Sequence, residues 1–456
     1  MLATLKEFGP ITFYIIALGF FLLSVTGRPK WSLLLTIGLA PLRNVVERLD
    51  IFPMGKDLLD VLIFGLLVGW ILTSLLRRDK LFTRCAVNPI AITLILYSLF
   101  TVIMGSLYLK NPLLFDVTDD RIQDWKNFIL LPVLFFLTFN LIEDRKWIKR
   151  VLWVMAGSMI LMNCYTTTQI SWFTNLASRE KIVSTFVYLG PNEVAAFYNQ
   201  YTIILLGIYF CMRKSLIKLL LLGLIATNIF CVLFLFSRGA YLGLLGGMVL
   251  LAFFKKRILI VPLILFGIFW QAVLPQKVIE RIEMTTDVYG HLESSAADRL
   301  VIWGETMDVI TKQPVFGLGF GVFRHLGFIL KDTHNIYLKI LVEQGVFGLF
   351  IFLILIIVFF REGWSLYRQG NDDLSRGLGL GFAIAIGVLL VNNLFGDRWT
   401  YWEISAFMWA FAGLVCRYRV IVQEEAKYRK TVSAPQKPFK SKRKVFPDEP
   451  LLGYSN

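Results

Sequence analysis

What most restricts the fold of this chain is a succession of apolar stretches, each close to the thickness of a bilayer, separated by short basic loops. A helix rises about 1.5 Å per residue and crosses the hydrocarbon layer with roughly 17–25 apolar residues. Runs of that kind occupy 11–26, 57–76, 86–108, 126–142, 148–166, 194–212, 216–236, 239–254, 258–273, 335–360, 376–395 and 400–416. A shorter run at 31–42 is either an interfacial or re-entrant piece or a thirteenth span. Because a helix satisfies its own backbone in lipid, the expectation is an all-α, polytopic integral membrane protein with about 12 transmembrane helices. Composition agrees: 56% of the residues are hydrophobic, too many for a soluble surface.

The net charge of +15 raises the question of a nucleic-acid partner. The lysines and arginines, however, fall in short clusters between apolar runs, the positive-inside pattern of a membrane protein, which speaks against nucleic acid. If spans alternate, Arg77-Arg78-Asp79-Lys80, Arg145-Lys146, Arg213-Lys214, Lys255-Lys256-Arg257 and the tail from Arg417 share one side, expected to be cytoplasmic. The other side receives 43–56, 109–125, 167–193, Ser237-Arg238, 274–333 and 396–400, so one long extracytoplasmic loop is expected at 274–333. The chain then divides into a transmembrane domain, 1–423, and a basic tail, 424–456. That tail carries four prolines and is expected to be disordered and cytoplasmic, close to membrane lipids. The first apolar run is flanked by Arg28 and Lys30 without a small-residue cleavage site, and is expected to be retained. The five cysteines lie in or beside apolar runs, and the three histidines have no metal-ligating spacing, so neither a disulfide nor a metal site is expected.

Three cations stand out. Arg238 sits at a span boundary on the outer side, where it either snorkels to the interface or binds an anion. Gly239 and Gly243 beside it permit close backbone approach. His334 lies where the long loop enters an apolar run, with Asp332 or Thr333 as the expected N-cap. In that register His334, Leu338, Leu341, Gly345 and Gly348 share a helix face, and Glu343 lies on the opposite one. A histidine in the first turn is biased toward the neutral form that a general base requires; the alternative is a structural interface histidine. Arg299 is either an anion ligand or the partner of Asp298 or Glu305. Polar residues within the apolar runs, among them Asn192 and Glu193, either line a cavity or join helices. The string Gly317-Leu318-Gly319-Phe320-Gly321 lacks nucleotide-fingerprint spacing and is expected to be a hinge or tight turn beneath a lid; Arg324 and His325 follow it.

Taken in order, Gly190-Pro191-Asn192-Glu193-Val194-Ala195, Ser237-Arg238-Gly239, Arg299 with Trp303, Gln313-Pro314-Val315-Phe316-Gly317-Leu318-Gly319, and Thr333-His334-Asn335-Ile336-Tyr337-Leu338 with Glu343-Gln344-Gly345 and Gly348-Leu349 form a pattern. It resembles the O-antigen ligase and O-antigen polymerase superfamily over about 190–350. The resemblance implies a C-type glycosyltransferase-like fold in the bacterial inner membrane. It implies transfer of a glycan from an undecaprenyl-pyrophosphate-linked donor to a glycan, lipid A-core or other hydroxyl acceptor on the extracytoplasmic side. No cofactor, metal or nucleotide sugar is implied. By the same resemblance Arg238 and Arg299 hold the donor pyrophosphate, His334 is the base, and Asn192, Glu193, Arg324, Asn335 and Tyr337 are supporting candidates. It does not separate ligase from polymerase or from a protein O-oligosaccharyltransferase. The competing class is a lipid-linked oligosaccharide flippase or polysaccharide transporter, which calls for charges near mid-membrane and two related halves; no such repeat is found here.

Overall fold

The computed structural model describes residues 2–47, 49–78, 80–111, 113–170, 190–284, 294–328 and 331–433. Among them there is no strand. The helices are α1 (Leu2–Val25), α2 (Pro29–Leu39), α3 (Arg43–Glu47), α4 (Leu58–Arg77), α5 (Val87–Tyr108), α6 (Asp120–Leu141), α7 (Arg145–Gln169) and α8 (Pro191–Cys211). They continue as α9 (Ser215–Phe234), α10 (Arg238–Phe254), α11 (Ile260–Val273), α12 (Gln276–Glu283), α13 (Ser294–Lys312), α14 (Ile336–Gln369), α15 (Asp373–Asn392) and α16 (Trp402–Ser433).

The chain is a multi-pass membrane protein. Among the described residues α4, α5, α6, α8, α9, α14, α15 and α16 are long and apolar enough to cross, and a ninth span results if α11 and α12 count as one bent element. The count of twelve is therefore not reached, for local reasons. The apolar part of α1, Gly9–Val25, and α10 are short apolar helices. In α7 the apolar run is diluted by Arg145-Lys146 and Lys149-Arg150 in its first two turns. The 31–42 run is the 11-residue α2, about half a hydrocarbon thickness, closed by a 3-10 turn at Ala40–Leu42. Among the described residues of the long loop, 274–333, two stretches are α-helical, α12 and α13, and Phe323–His325 forms a 3-10 turn. The boundary expected at 424 falls inside α16, and residues 434–456 lie outside the described ones.

The core is built around α15, whose glycines let α8 approach it backbone to backbone. A Cβ on Gly207 would stand 2.5 Å from the Gly381 amide nitrogen, and one on Gly377 would stand 2.6 Å from Ile208 Cα. Close packing of this kind replaces the hydrophobic drive that is missing between helices in lipid.

α14 is broken at Gly345, whose φ of 66° and ψ of −168° are open essentially to glycine alone. A break inside a span strands backbone groups that lipid cannot satisfy. The 314–320 strand of chain supplies them. Leu318 N–H donates to Val342 O and Gly319 N–H to Glu343 O, both at 2.9 Å, while Val346 N–H donates to Pro314 O at 2.9 Å. On its other side Phe320 N–H donates to Thr101 O of α5 at 3.0 Å. The glycine string is thus a strap wedged between α5 and α14, not a hinge. A Cβ on Gly317 would lie 2.6 Å from the Gln344 nitrogen, and one on Gly319 would collide with Gly105.

Candidate active site

α10 begins on a cation. Phe236 turns the chain in the left-handed region (φ 52°), Ser237 is the N-cap, and Arg238 is the first helical residue. A positive charge at the positive end of a helix is unfavourable unless an anion answers it. The α11–α12 bend brings more positive charge here. Arg281 Nε donates to Phe236 O at 3.3 Å, and Arg238 Nη1 donates to Met284 O at 2.6 Å. Arg238, Arg281, Arg299 and Arg398 converge on one cavity of about 40 Å³, with Asn192 from the first turn of α8 and Ser237. Among the described residues no carboxylate lines it. Two helix N-termini and four guanidiniums therefore face one small space, an arrangement suited to a multiply charged oxyanion.

Arg398 is held from behind. Glu193 pairs with it at 2.9 Å, its N–H donates to Asn393 Oδ1 at 2.9 Å, and Gly396 leaves room for the guanidinium 2.6 Å from where a Cβ would be. Next to it the wholly buried Asp397 accepts from Lys339 Nζ at 2.8 Å, from Trp399 N–H and Thr400 N–H at 2.9 Å each, and from the Thr400 hydroxyl. Burial pushes the Asp397 carboxyl up, but Lys339 and these donors outweigh it and hold the group below the usual carboxylate range. Beneath the cavity floor Asn199 and Asn392 exchange amide hydrogen bonds at 3.0 and 2.8 Å. A side chain at Gly243 would strike this pair.

His334 is not in the first turn of α14. Asn335 is the N-cap, accepting from Tyr337 N–H at 3.0 Å and Leu338 N–H at 3.3 Å, and His334 precedes it with φ 50°. The helical face expected through His334, Leu338, Leu341, Gly345 and Gly348 therefore does not exist, since its first member lies outside the helix and Gly345 breaks it. The imidazole is 38% exposed, and its Nδ1 stands 3.8 Å from Asp332 Oδ2, beyond hydrogen-bond length. His334 does not line the arginine cavity, yet its turn is tied to two of the walls. Trp303 Nε1, one turn beyond Arg299 on α13, donates to Thr333 O at 2.9 Å. Ile336 N–H donates to Asn393 O at 3.1 Å, beside Asn392 and Arg398.

The supporting candidates separate. Asn192 lines the cavity and Glu193 braces Arg398. Arg324 pairs with Asp124 and faces a different cavity. Asn335 caps α14, and the Tyr337 hydroxyl donates to Leu390 O at 2.8 Å, which joins α14 to α15. Sequence reasoning missed Arg281 and Arg398. The available signal for Arg398 was an Asp-Arg pair in the short turn between two apolar runs; Arg281 had none beyond the amphipathic pattern of α12. Among the described residues there is no group of three or more His, Cys, Asp or Glu placed to share a metal ion.

A bundle of membrane helices whose ends gather arginines around one small cavity, with a histidine turn fastened to its walls, defines a class: a multi-pass membrane protein with an arginine-lined cavity at one end. Residues 220–353 match the family described as O-Antigen ligase. Curated relatives include a "Putative polysaccharide ligase" of Rickettsia felis, 24% identical over 38% of this chain and 44% of its own length. A protein of the same description from Rickettsia bellii is 28% identical over 38% and 45%. The "O-antigen ligase" of Pseudomonas aeruginosa is 25% identical over 59% of this chain and 65% of its own. The match thus spans less than half the length of the Rickettsia relatives. Over residues 220–353 the chain is thus similar to the family described as O-Antigen ligase.

Proposed function

We propose that this protein transfers a glycan from an undecaprenyl-pyrophosphate-linked donor to a hydroxyl acceptor at the extracytoplasmic face of a bacterial inner membrane. An O-antigen ligase-like reaction is the first reading, and polysaccharide polymerisation on the same chemistry is a close second. The observation that carries it is the convergence of Arg238, Arg281, Arg299 and Arg398 on one cavity, with the His334 turn fastened to its walls through Trp303 and Asn393.

In this reading the acceptor oxygen attacks the anomeric carbon of the donor glycan. The new C–O bond forms as the bond from that carbon to the pyrophosphate oxygen breaks. The acceptor proton passes to the free imidazole nitrogen of His334, and the electron pair leaves with undecaprenyl pyrophosphate. Guanidiniums pair with phosphate oxygens through two parallel charge-assisted bonds. Such preorganised donors stabilise the charge that grows on the leaving group. The cavity as it stands holds only a few waters. Donor entry therefore requires the cavity to widen, while the prenyl chain remains in lipid.

Protein reconstituted in liposomes with purified undecaprenyl-pyrophosphate-linked glycan tests the reading. The expected products are free undecaprenyl pyrophosphate and an extended acceptor, and lipid A-core and a second lipid-linked glycan serve as the two acceptors. Arg238→Lys should fail nearly as completely as Arg238→Ala, because lysine keeps the charge and loses the planar fork. Donor crossing the bilayer uncleaved would instead make the protein a flippase.

A further inference from the structure

A second cavity, about 320 Å³, lies on the other side of the 397–402 turn from the arginine cavity. Its size is at the lower end of the range for small-molecule sites. Arg398 faces the first cavity, whereas Thr400, Tyr401 and Trp402 face the second. The Lys339–Asp397 ion pair stands at the root of the turn between them. The His334 turn is close by, since the N–H of Lys339, which lines this cavity, donates to Asn335 O at 3.0 Å.

The chemistry of the two cavities differs. In the second, the cations Arg43, Arg324 and Lys339 are matched by the carboxylates Asp124, Glu343 and Glu403. Arg324 pairs with Asp124, and Arg43 lies 3.9 Å from Glu403. Lys339 is also held by Asp397, and Arg43 by Glu47 at 3.0 Å, so each of the three cations already has a carboxylate partner and none is left over to hold an anion. Two buried polar atoms on the lining residues have no hydrogen-bond partner among the described residues, the Trp402 indole N–H and the Asn127 side-chain oxygen. Trp402 is only 3% exposed. Leaving such groups unmade costs free energy. One is a donor and the other an acceptor, and a hydroxyl group satisfies both kinds. Carboxylates and aromatic rings around a charge-balanced hollow suit a polyhydroxylated, uncharged ligand.

From these features we propose that the second cavity binds the acceptor's saccharide, seating the sugar whose hydroxyl attacks the donor; the proposal rests on the transferase reading above. Trp402 and Asn127 are assigned as hydrogen-bonding contacts to that sugar, across the 397–402 turn from the pyrophosphate ligands.

The test uses the full chain in liposomes, the purified donor lipid, and lipid A-core or a second lipid-linked glycan as the acceptor probe. Trp402→Phe keeps a ring and removes the N–H, and Asn127→Leu keeps the approximate shape and removes the amide. Each should raise the acceptor KM roughly 5–20-fold, the size of one lost hydrogen bond to a buried polar group, with kcat at saturating acceptor and the donor KM within about twofold. Acceptor KM values within twofold of wild type for both variants and their double would overturn the site. So would a parallel loss in donor KM, which would mark the residues as structural. In the wild-type protein, saturating acceptor should slow amide hydrogen exchange at 397–403 and leave 236–240 unchanged, and absence of protection at 397–403 would also overturn it. Wild-type protein that releases no undecaprenyl pyrophosphate with either acceptor would remove the transferase reading itself, before any variant is compared.

Discussion

At the scale of single residues, His334 owes its position to a turn. The backbone is left-handed there, Asp332 Oδ1 accepts the His334 N–H at 3.3 Å, and Thr333 and Asn335 bond to each other on either side of it. Histidine and asparagine both tolerate this conformation better than alanine does, so His334→Asn tests proton transfer with the least disturbance of the turn. We expect turnover to fall 10²–10⁴-fold, the usual contribution of a general base, with expression and donor-lipid binding near wild type. Activity above about a tenth of wild type would end the base assignment and leave the arginines as the main catalytic feature. Asp397 gives a second prediction. Its carboxyl lies below the usual range in the folded protein, so its contribution is present above the unfolded value of about 3.9. That contribution is lost only as pH falls through the lower, folded value. Asp397→Asn should therefore destabilise the protein by roughly 3–5 kcal/mol, the cost of stranding Lys339, by about the same amount at pH 5 and pH 8 in detergent unfolding. A deficit that vanished at pH 5 would contradict this. Arg238 and Arg299 stood out in the sequence because each is a charge set among apolar residues or family motifs. Arg398 did not, since its meaning depends on Glu193, which is remote in the chain and reaches it only through α8 packing on α15.

At the scale of elements, the feature that fixes the site is the break in α14. Gly345 ends one helical segment, and the strap from Pro314 to Phe320 repairs the exposed backbone, which fixes the loop leading to His334 against α5 and α14. Gly345→Ala should be severely destabilising. The conformation is closed to a side chain, and the new Cβ would collide with Val315 O. Strain of this kind costs about 1–3 kcal/mol before the clash is added, so the melting temperature in detergent should drop by several degrees. Gly304 in α13 is the control. A Cβ there meets nothing within 4 Å, and Gly304→Ala should be neutral or stabilise by up to about 1 kcal/mol. Equal effects at the two positions would mean that the strap does not constrain α14. The glycines were visible in the sequence, but a hinge and a strap share the same string. What separates them is the pair of carbonyls at Val342 and Glu343 and the wall at Thr101, none of which periodicity places beside it. Helix positions were legible for the opposite reason, since each apolar run is local and needs no distant partner.

At the scale of the whole molecule, sidedness can be argued from α15. Its first residue, Asp373, lies 3.6 Å from Arg213, and its N-cap, Asp372, pairs with Arg145, which also holds Glu425 at 2.7 Å. The basic ends of α7 and the α8–α9 turn are thus gathered at one end of α15 together with the late part of α16. At its other end Asn392 borders the arginine cavity. α15 has 20 residues, about 30 Å of helix, which is one hydrocarbon thickness. The basic clusters and the cavity therefore lie at opposite ends of α15, and from the positive-inside rule we propose that the cavity is the extracytoplasmic one. In a background with the native cysteines replaced, Asp308→Cys on the exposed face of α13 should react with a membrane-impermeant maleimide in intact spheroplasts. Arg213→Cys, whose parent side chain is 87% exposed, should react only after lysis. The inverse pattern would put the arginine cavity on the cytoplasmic side, and a donor presented to the periplasm could then not reach Arg238. Labelling of both in intact cells would mean that the two ends of α15 are not separated by the membrane.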